Sequence, residues 1–248
     1  KNSYMTYVLN TYIVPGKDTY EPIMKSEMAV PFEDYVVQRI DKHTGESVAD
    51  LCELFDVNVD KKPKNLEALL AYRMLGIKGN QAEEFAKANI VVKSIRIGKN
   101  NTIKESMSFP TFKFKELVEE EWEDSTFGNY LRETRFLFVV YKFDENDVLR
   151  LKGCQFWNIP YTDLEVEVRS VWERTKTILQ EGLQIILVNG VHRNNLPKAT
   201  ENRVSHVRPH AKDSSDTYEL PDGRQFPKQC FWLNNSYILS QLEERFKK

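Results

Sequence analysis

The sequence predicts a mixed α/β fold of the α+β type, in which helices flank a central mixed sheet. Asn89–Ile97 and Arg135–Phe143 are rich in β-branched and aromatic residues, which is typical of strands. Around them, apolar residues recur every three or four positions, the period of amphipathic helices. The chain has 248 residues, of which 41% are hydrophobic and 29% charged, so it can bury a core and is not disordered.

The chain is predicted to begin with an arm, residues 1–31, and to continue as one domain over residues 32–248. A short helix over Tyr4–Tyr12 should end at Pro15-Gly16, because this pair favours a turn. In a longer parent protein, the arm would join the domain to a preceding one.

Three helices are expected before the central strand. Ser47 and Asn65 are capping residues ahead of two apolar helical patterns, and Gly76 ends the second. A shorter helix around Gln81–Lys87 leads into the strand. Alternation along the strand sends Val91, Lys93, Ile95 and Ile97 to one face and Ile90, Val92, Ser94 and Arg96 to the other.

The second half is predicted to alternate strands, helices and polar loops. Arg135–Phe143 is continuously apolar, like strands that are buried on both faces, and Leu149–Trp157 is its expected neighbour. The capping box Thr162–Glu165 should begin a helix that ends before Gly182. The other expected elements are an extended segment at Ser108–Phe114, a helix ending in the acidic run 119–124, a strand over 182–191, polar loops around 194–203 and 212–228, a short strand at Val204–Pro209, and a last helix from about Asn235.

Composition excludes several kinds of site and location. The three cysteines lie far apart with no C-x-x-C pair, which suits buried thiols in a reducing cytoplasm and argues against zinc. No apolar run approaches the ~20 residues of a membrane span. Glycine occurs only 10 times and is nowhere clustered, so no phosphate-binding loop is predicted. His206 and His210 have no acid or cysteine at ligand spacing, and no cysteine–histidine pair predicts nucleophilic catalysis.

The charge distribution is segregated. A net charge of −2 argues against nucleic-acid binding, because such proteins usually carry a basic surface. However, residues 88–104 contain four basic residues and no acid, and residues 189–212 contain five basic residues and one acid. The acids collect in residues 116–124. A segregated field of this kind can bind phosphate on one face of a nearly neutral molecule.

Six landmarks follow one another along the chain: the helix end Leu75-Gly76, Glu84 ahead of the V-x-K-S strand at 91–94, the strand from Arg135, the Trp172 helix ending at Glu181-Gly182, the segment His206–His210, and Phe231–Leu233 before the last helix. Their order resembles the MutH type of DNA endonuclease, which includes the mismatch-repair nicking enzyme and restriction enzymes that cut GATC. Pieces such as Lys104–Phe109 and Glu121–Ser125 resemble the C-terminal half of those type II restriction enzymes that contain two MutH-like domains.

The resemblance implies a MutH-like, type II restriction-endonuclease fold with two lobes around a DNA cleft. It also implies a division of labour, in which the first domain cleaves with magnesium and the second binds another copy of the GATC site as an allosteric effector. The implied partners are double-stranded DNA, the N-terminal catalytic domain of the same chain and, on DNA, a second copy. The implied location is the bacterial cytoplasm, away from membranes.

The family's metal-binding positions are altered here. The early-helix glutamate corresponds to Tyr72, the next acid to Glu84 and the strand glutamate to Val91, and only the lysine, Lys93, is retained. Because magnesium requires oxygen ligands, we expect no complete metal site and no cofactor in this domain. In the alternative reading, Lys93 is a solvated strand lysine and Glu84 is a helix-surface acid.

The resemblance implies that Arg208 contacts a base, and an arginine can form two hydrogen bonds with guanine. In the alternative reading, Arg208 is a structural residue with an acidic neighbour. Trp232 would lie near the bases or in the core, and alternation should turn one of Phe231 and Trp232 inward. The other predicted DNA contacts are Lys93, Arg96, Lys99, Asn101, Lys198, Arg203, His206, His210, Lys212, Lys228 and Asn234, and the loop cations among them could equally be ordinary surface charges.

Two other functions are compatible with the sequence. The first is an active endonuclease domain with a rearranged metal site that uses Glu84 and an acid from elsewhere. The second is a protein-interaction domain that dimerises through its acidic helix and no longer touches DNA. A non-catalytic DNA-binding domain is the leading interpretation.

Overall fold

The computed structural model describes residues 2–14, 20–24, 30–58, 65–188 and 191–247. The chain divides into two compact units. The first unit contains Lys1–Lys104, Glu133–Asn158 and Leu242–Lys248, and the second contains Glu105–Arg132 and Ile159–Gln241. In the described ranges, no helix is long and apolar enough to cross a membrane.

The helices are α1 (Asn2–Val8), α2 (Phe32–Asp41), α3 (Val48–Leu54), α4 (Leu66–Met74), α5 (Glu83–Lys87), α6 (Phe114–Leu117), α7 (Thr126–Glu133), α8 (Arg169–Glu181), α9 (Asn235–Gln241) and α10 (Glu244–Lys247). The strands are β1 (Ile90–Ile97), β2 (Met107–Phe112), β3 (Arg135–Phe143), β4 (Leu149–Trp157), β5 (Ile185–Val188), β6 (Val191–Asn194), β7 (Ser205–Pro209), β8 (Thr217–Glu219), β9 (Gln225–Pro227) and β10 (Gln229–Leu233). These elements confirm the predicted mixture of helices and strands.

The first unit is built on a mixed sheet with the order β1-β3-β4. β1 runs parallel to β3, and β4 runs antiparallel to it. Every residue from Phe136 to Tyr141 is fully buried, which confirms that β3 is covered on both faces. One face, with Leu137 and Val139, joins the core formed by α2–α5. The other face carries the contacting rings of Phe138 and Trp157, whose centroids are 5.0 Å apart.

The second unit contains an antiparallel sheet with the order β2-β10-β7 and two hairpins, β5–β6 and β8–β9. The hairpins replace the expected strand over 182–191 and part of the expected loop 212–228. α7 was not expected. The helix predicted to end in the acidic run 119–124 ends earlier, as α6 at Leu117, and the run contains a 3₁₀ turn at Trp122–Asp124. That turn follows from burial of the Trp122 indole, which donates to Glu165 over 2.7 Å.

Helix boundaries agree with the sequence patterns in some places and not in others. Ser47 forms a capping box with Asp50 at the start of α3, as its position indicates. Asn65 precedes α4 but makes no capping bond with its side chain. The capping box at Thr162 is wrong, because Thr162 already has helical dihedrals and a π-helical turn, Asp163–Val168, leads into α8. The single last helix is also wrong, since α9 ends at Gln241 and α10 is separate.

The arm contains α1, which continues as a π-helical turn over Leu9–Ile13 and confirms the short helix. Its expected end at Pro15-Gly16 lies outside the described residues. Tyr7 faces inward, where its hydroxyl donates to Glu83 over 2.8 Å. The described part of the arm therefore packs on α5 within the first unit.

A bulge in β4 gives a test of this fold. Gly153 has φ +120°, and a Cβ there would lie 2.5 Å from Oδ1 of Asp41, which accepts from the Cys154 amide over 2.9 Å. We expect Gly153→Ala to lower the free energy of unfolding by about 3 kcal/mol, because strain and overlap add. Gly45→Ala, at φ +94° with no atom within 4 Å, should cost only about 1 kcal/mol. Urea unfolding measures the stability of both variants. Equal losses of unfolding free energy in Gly153→Ala and Gly45→Ala would contradict the role of Asp41.

Candidate nucleic-acid interface

One face of the β2-β10-β7 sheet collects the strongest of the predicted contacts. In the antiparallel register, Cys230 lies opposite Arg208 and Trp232 opposite His206. Alternation turns Phe231 to the other face, where it is buried and stacks on Phe127 with centroids 4.4 Å apart. The prediction that one of Phe231 and Trp232 faces inward is therefore confirmed.

Trp232 is half-buried and has three neighbouring side chains, those of His206, Arg208 and His210. We call these four residues the Trp232 cluster. The Arg208 guanidinium carbon lies 5.2 Å from the centroid of the indole ring. The His206 ring lies nearly parallel to the indole at 6.3 Å, and the His210 ring meets it edge-on at 5.5 Å. The indole Nε1–H donates to the Arg208 carbonyl over 3.3 Å, so the tryptophan holds the backbone of the strand that carries the arginine.

His206 and Asn234, which the sequence predicted to contact DNA, are both buried. His206 Nδ1 lies 2.6 Å from Asn234 Oδ1. The Asn234 amide nitrogen donates to the carbonyls of Asn202 (2.7 Å) and Ala199 (3.4 Å), so its oxygen must accept and Nδ1 must carry the histidine proton. His206 and Asn234 therefore support Arg208, His210 and Trp232 from beneath, because their polar atoms are directed into the protein.

Burial lowers the pKa of His206, and the nearby Arg208 charge acts in the same direction; the bond to Asn234 opposes them. The neutral ring with the proton on Nδ1 is accordingly the form that the site holds. A neutral ring lets its face lie against Trp232 without adding a second cation beside Arg208.

The sequence pattern did not reveal Asn202, which organises the loop before β7. Its Oδ1 accepts from the amides of Val204 and Ser205 over 2.8 and 3.0 Å. Its Nδ2 donates to Glu167 over 2.9 Å, which joins the loop to the π-helical turn before α8. An asparagine at a bend just before a strand, where its side chain can bond to nearby backbone, was the available signal.

Several predicted phosphate contacts already have carboxylate partners. Arg96 pairs with the buried Glu67 at 2.5 Å, and Lys99 pairs with Asp147 at 2.9 Å. The others are Arg203 with Asp163 and Glu167, and Lys228 with Asp216. Hydrogen bonds to these acids raise the pKa of Arg203 and of Lys228. Each pair would have to open, or accept a shared phosphate, before the cation could bind DNA.

Three of the predicted cations differ from these. Within the part of the chain that the structure describes, the side chains of Lys198, Arg208 and Lys212 form no ion pair with a carboxylate, and all three are exposed. The structural reading of Arg208, in which an acid neutralises it, is therefore not the arrangement seen. Asn101 is also exposed, at φ +56° in the turn after β1.

The residues that the resemblance aligned with metal ligands make other contacts in the structure. Tyr72 is half-buried and packs against Phe85, with centroids 6.0 Å apart, and burial raises the pKa of its hydroxyl. Glu84 accepts from the amides of Ile23 and Met24, both over 2.9 Å. Val91 and Lys93 are half-buried residues on one face of β1. Among the described residues, no group of three or more His, Cys, Asp or Glu is placed to hold a metal ion.

No family model matches the sequence. The chain is similar to the type II restriction enzyme Sau3AI of Staphylococcus aureus, with 34% identity over 287 aligned positions. The alignment takes in 98% of this chain and 58% of that enzyme, so the chain spans less than two thirds of the relative's length. This similarity supports the relation to restriction endonucleases that the landmarks indicated. The MutH-like fold and GATC recognition stay predictions.

The buried histidine predicts a pH dependence. Since the folded pKa of His206 is lowered, the unfolded chain takes up its proton first as the pH falls. Stability should be fully present above about pH 6.5 and should decline below it, by at most about 1.4 kcal/mol per pH unit. In His206→Asn, whose amide can still donate to Asn234, this decline should shrink. Urea unfolding at pH 7.5, 6.5 and 5.5 measures it, and equal slopes in both proteins would contradict the assignment.

Proposed function

We propose that this chain is a non-catalytic DNA-binding domain of a type II restriction endonuclease. It binds duplex DNA containing GATC and acts as an allosteric effector of a linked catalytic domain. The observation that carries the proposal is Arg208, an exposed arginine without a carboxylate partner in the described chain, which lies over Trp232 on a strand with buried support. The similarity to a restriction enzyme gives this geometry its context.

Arg208 has the properties of a base-reading residue. Its guanidinium is planar and can donate two parallel hydrogen bonds to guanine O6 and N7 in a major groove. Contact with the indole limits the rotamers it samples, so less conformational entropy is lost when it binds. The His206–Asn234–Asn202 network keeps the strand in place, because breaking the buried bond between His206 and Asn234 would leave buried polar atoms without partners.

Lys198 and Lys212 are the best candidates for phosphate contacts in the second unit, since both are exposed and, in the described part of the chain, neither side chain forms an ion pair with a carboxylate. Lys93 is proposed as a phosphate contact retained on β1. The paired cations Arg96, Lys99, Arg203 and Lys228 contribute less, because their carboxylates compete with phosphate. This division reconciles DNA binding with a net charge of −2.

The residues at the metal-ligand positions do not fit magnesium. A valine offers no oxygen, a tyrosine packed on Phe85 offers no carboxylate, and the oxygens of Glu84 already accept two backbone amides. We therefore propose that magnesium binds, and DNA is cleaved, in the linked catalytic domain. Coupling between the domains means that DNA binding to one domain changes the free energy of DNA binding to the other.

Arg208→Ala should weaken binding to a GATC duplex about 10- to 100-fold and reduce its preference over a scrambled duplex, because a bidentate base contact is lost. Lys212→Ala should weaken binding to both duplexes equally and lower the salt slope by about 1. Arg169→Ala, which removes an arginine that is paired with Glu173 on α8, is the matched control and should bind like the wild type. Fluorescence anisotropy across salt concentrations measures the affinity of all three variants for both duplexes.

Equal affinity of the wild type for the GATC and scrambled duplexes would leave only DNA binding without sequence preference. If the wild type binds neither duplex at low salt, the result favours the alternative of a protein-interaction domain.

The chain should leave a supercoiled plasmid containing GATC sites intact in 10 mM MgCl₂, because its metal-ligand positions do not fit the ion. Gel analysis of nicked and linear products measures cleavage. Nicking by the wild type that disappears in Lys93→Ala would overturn the effector role and support an active endonuclease with a rearranged site.

A further inference from the structure

A cavity within the second unit is lined mainly by aromatic rings. It measures about 170 Å³, a size that holds one small molecule. Three of its rings are buried and three are half-buried, so the cavity reaches from the surface into the core of the unit. The six rings are those of Phe112, Phe127, Tyr130, Trp172, Tyr218 and Phe231.

The cavity lies on the face of the β2-β10-β7 sheet that is turned away from the Trp232 cluster. Alternation along β10 places Phe231 on the face opposite Trp232, and Phe231 lines the cavity. Phe112 of β2 lies beside it, with ring centroids 4.9 Å apart, and Phe127 of α7 stacks on it at 4.4 Å. A ligand in this cavity therefore does not occupy the surface around Arg208.

Rings arranged around one space attract cations. The face of an aromatic ring carries partial negative charge, and several such rings form a cage for a methylated ammonium group. Two of the rings already contact an ammonium group of this chain: Lys176 Nζ lies 5.6 Å from the centroid of Trp172, and Lys228 Nζ lies 4.6 Å from that of Tyr218. Carboxylates neutralise both lysines, so neither adds a net charge beside the cavity.

The charged residues that line the cavity also favour a cation. Lys113 and Glu116 pair with each other over 2.6 Å. The Glu120 carboxylate accepts from the amide of Thr126 over 3.2 Å and from its hydroxyl, and among the described residues it forms no ion pair with a lysine or arginine. One lysine and two glutamates leave a net charge of −1 on the lining, which repels anions such as phosphate.

We propose that this cavity binds a free small molecule that carries a quaternary ammonium group and is about the size of choline. The methyl groups pack against the rings, and the Glu120 carboxylate balances the positive charge. A quaternary ammonium has no N–H group, so it leaves no hydrogen-bond donor unsatisfied in an apolar cavity, unlike a primary ammonium. The site does not depend on DNA binding.

Isothermal titration calorimetry of the full chain, with choline chloride at constant ionic strength, tests the proposal. Choline should bind at one site with a dissociation constant on the order of 0.1–1 mM, as expected for a ligand of so few atoms. Dimethylbutanol (3,3-dimethyl-1-butanol) has the same shape as choline with carbon in place of the charged nitrogen. It should bind at least about 10-fold more weakly, because it cannot use the charge on the ring faces.

Two variants separate the role of Glu120 from that of charge in general. Glu120→Gln keeps the shape of the side chain without its charge, and it should weaken choline binding about 5-fold while leaving dimethylbutanol binding unchanged. Glu119→Gln removes the same charge from an exposed neighbour that does not line the cavity, and it should bind choline like the wild type. Circular dichroism and the urea midpoint check that both variants are folded.

The comparison of the two ligands on the wild type decides the proposal even if a variant is unstable. Absence of choline binding up to about 10 mM overturns it, and equal affinity for choline and dimethylbutanol overturns the assignment to a cation. Equal weakening by both substitutions contradicts the role of Glu120. A trimethyllysine peptide that binds more tightly than choline overturns the assignment to a free small molecule. Anisotropy with a GATC duplex, without choline, reports the DNA-binding function separately.

Discussion

The burial of β3 on both faces is the constraint on which the first unit depends. A strand with six consecutive fully buried residues must have a packed layer on each side of its sheet. On one side, α2–α5 supply that layer and form one core with it. β1 pairs in parallel with β3, so the position of Lys93 and Val91 follows from the register with this buried strand.

The second unit follows a different physical rule, in which buried polar groups hold an exposed surface. Asn202 and Asn234 use their amide donors and acceptors within the protein, and His206 completes the network with one defined tautomer. A satisfied network of this kind is rigid, because breaking the bond between His206 and Asn234 leaves buried polar atoms without a partner. Arg208 and Trp232 therefore lie on a surface whose backbone has little freedom to move.

Carboxylates take three separate roles in this chain. Glu84 accepts from the backbone amides of Ile23 and Met24, and Glu67 neutralises Arg96 at the end of β1. In the second unit, Asp163 accepts from Tyr237 over 2.8 Å and pairs with Arg203. Much of the positive charge that the sequence places near the predicted DNA face is thus internally compensated. In the described part of the chain, Lys198, Arg208 and Lys212 remain exposed without a carboxylate ion-pair partner.

The sequence by itself determined the mixed fold, the bounds of β3 and β4, the faces of β1 and the inward turn of Phe231, since these follow from the period of apolar residues along short segments. It also pointed to Arg208 and Trp232. Only the tertiary structure decided that His206 and Asn234 are buried, that Arg203 and Lys228 have acidic partners and that Thr162 is not a cap. Those outcomes depend on residues that are close in space but distant in the chain, such as Asn234 and His206 or Asp163 and Arg203. The pattern of apolar residues along a short segment indicates which side chains face the core. The partner of a side chain, however, depends on how elements that are distant in sequence pack together.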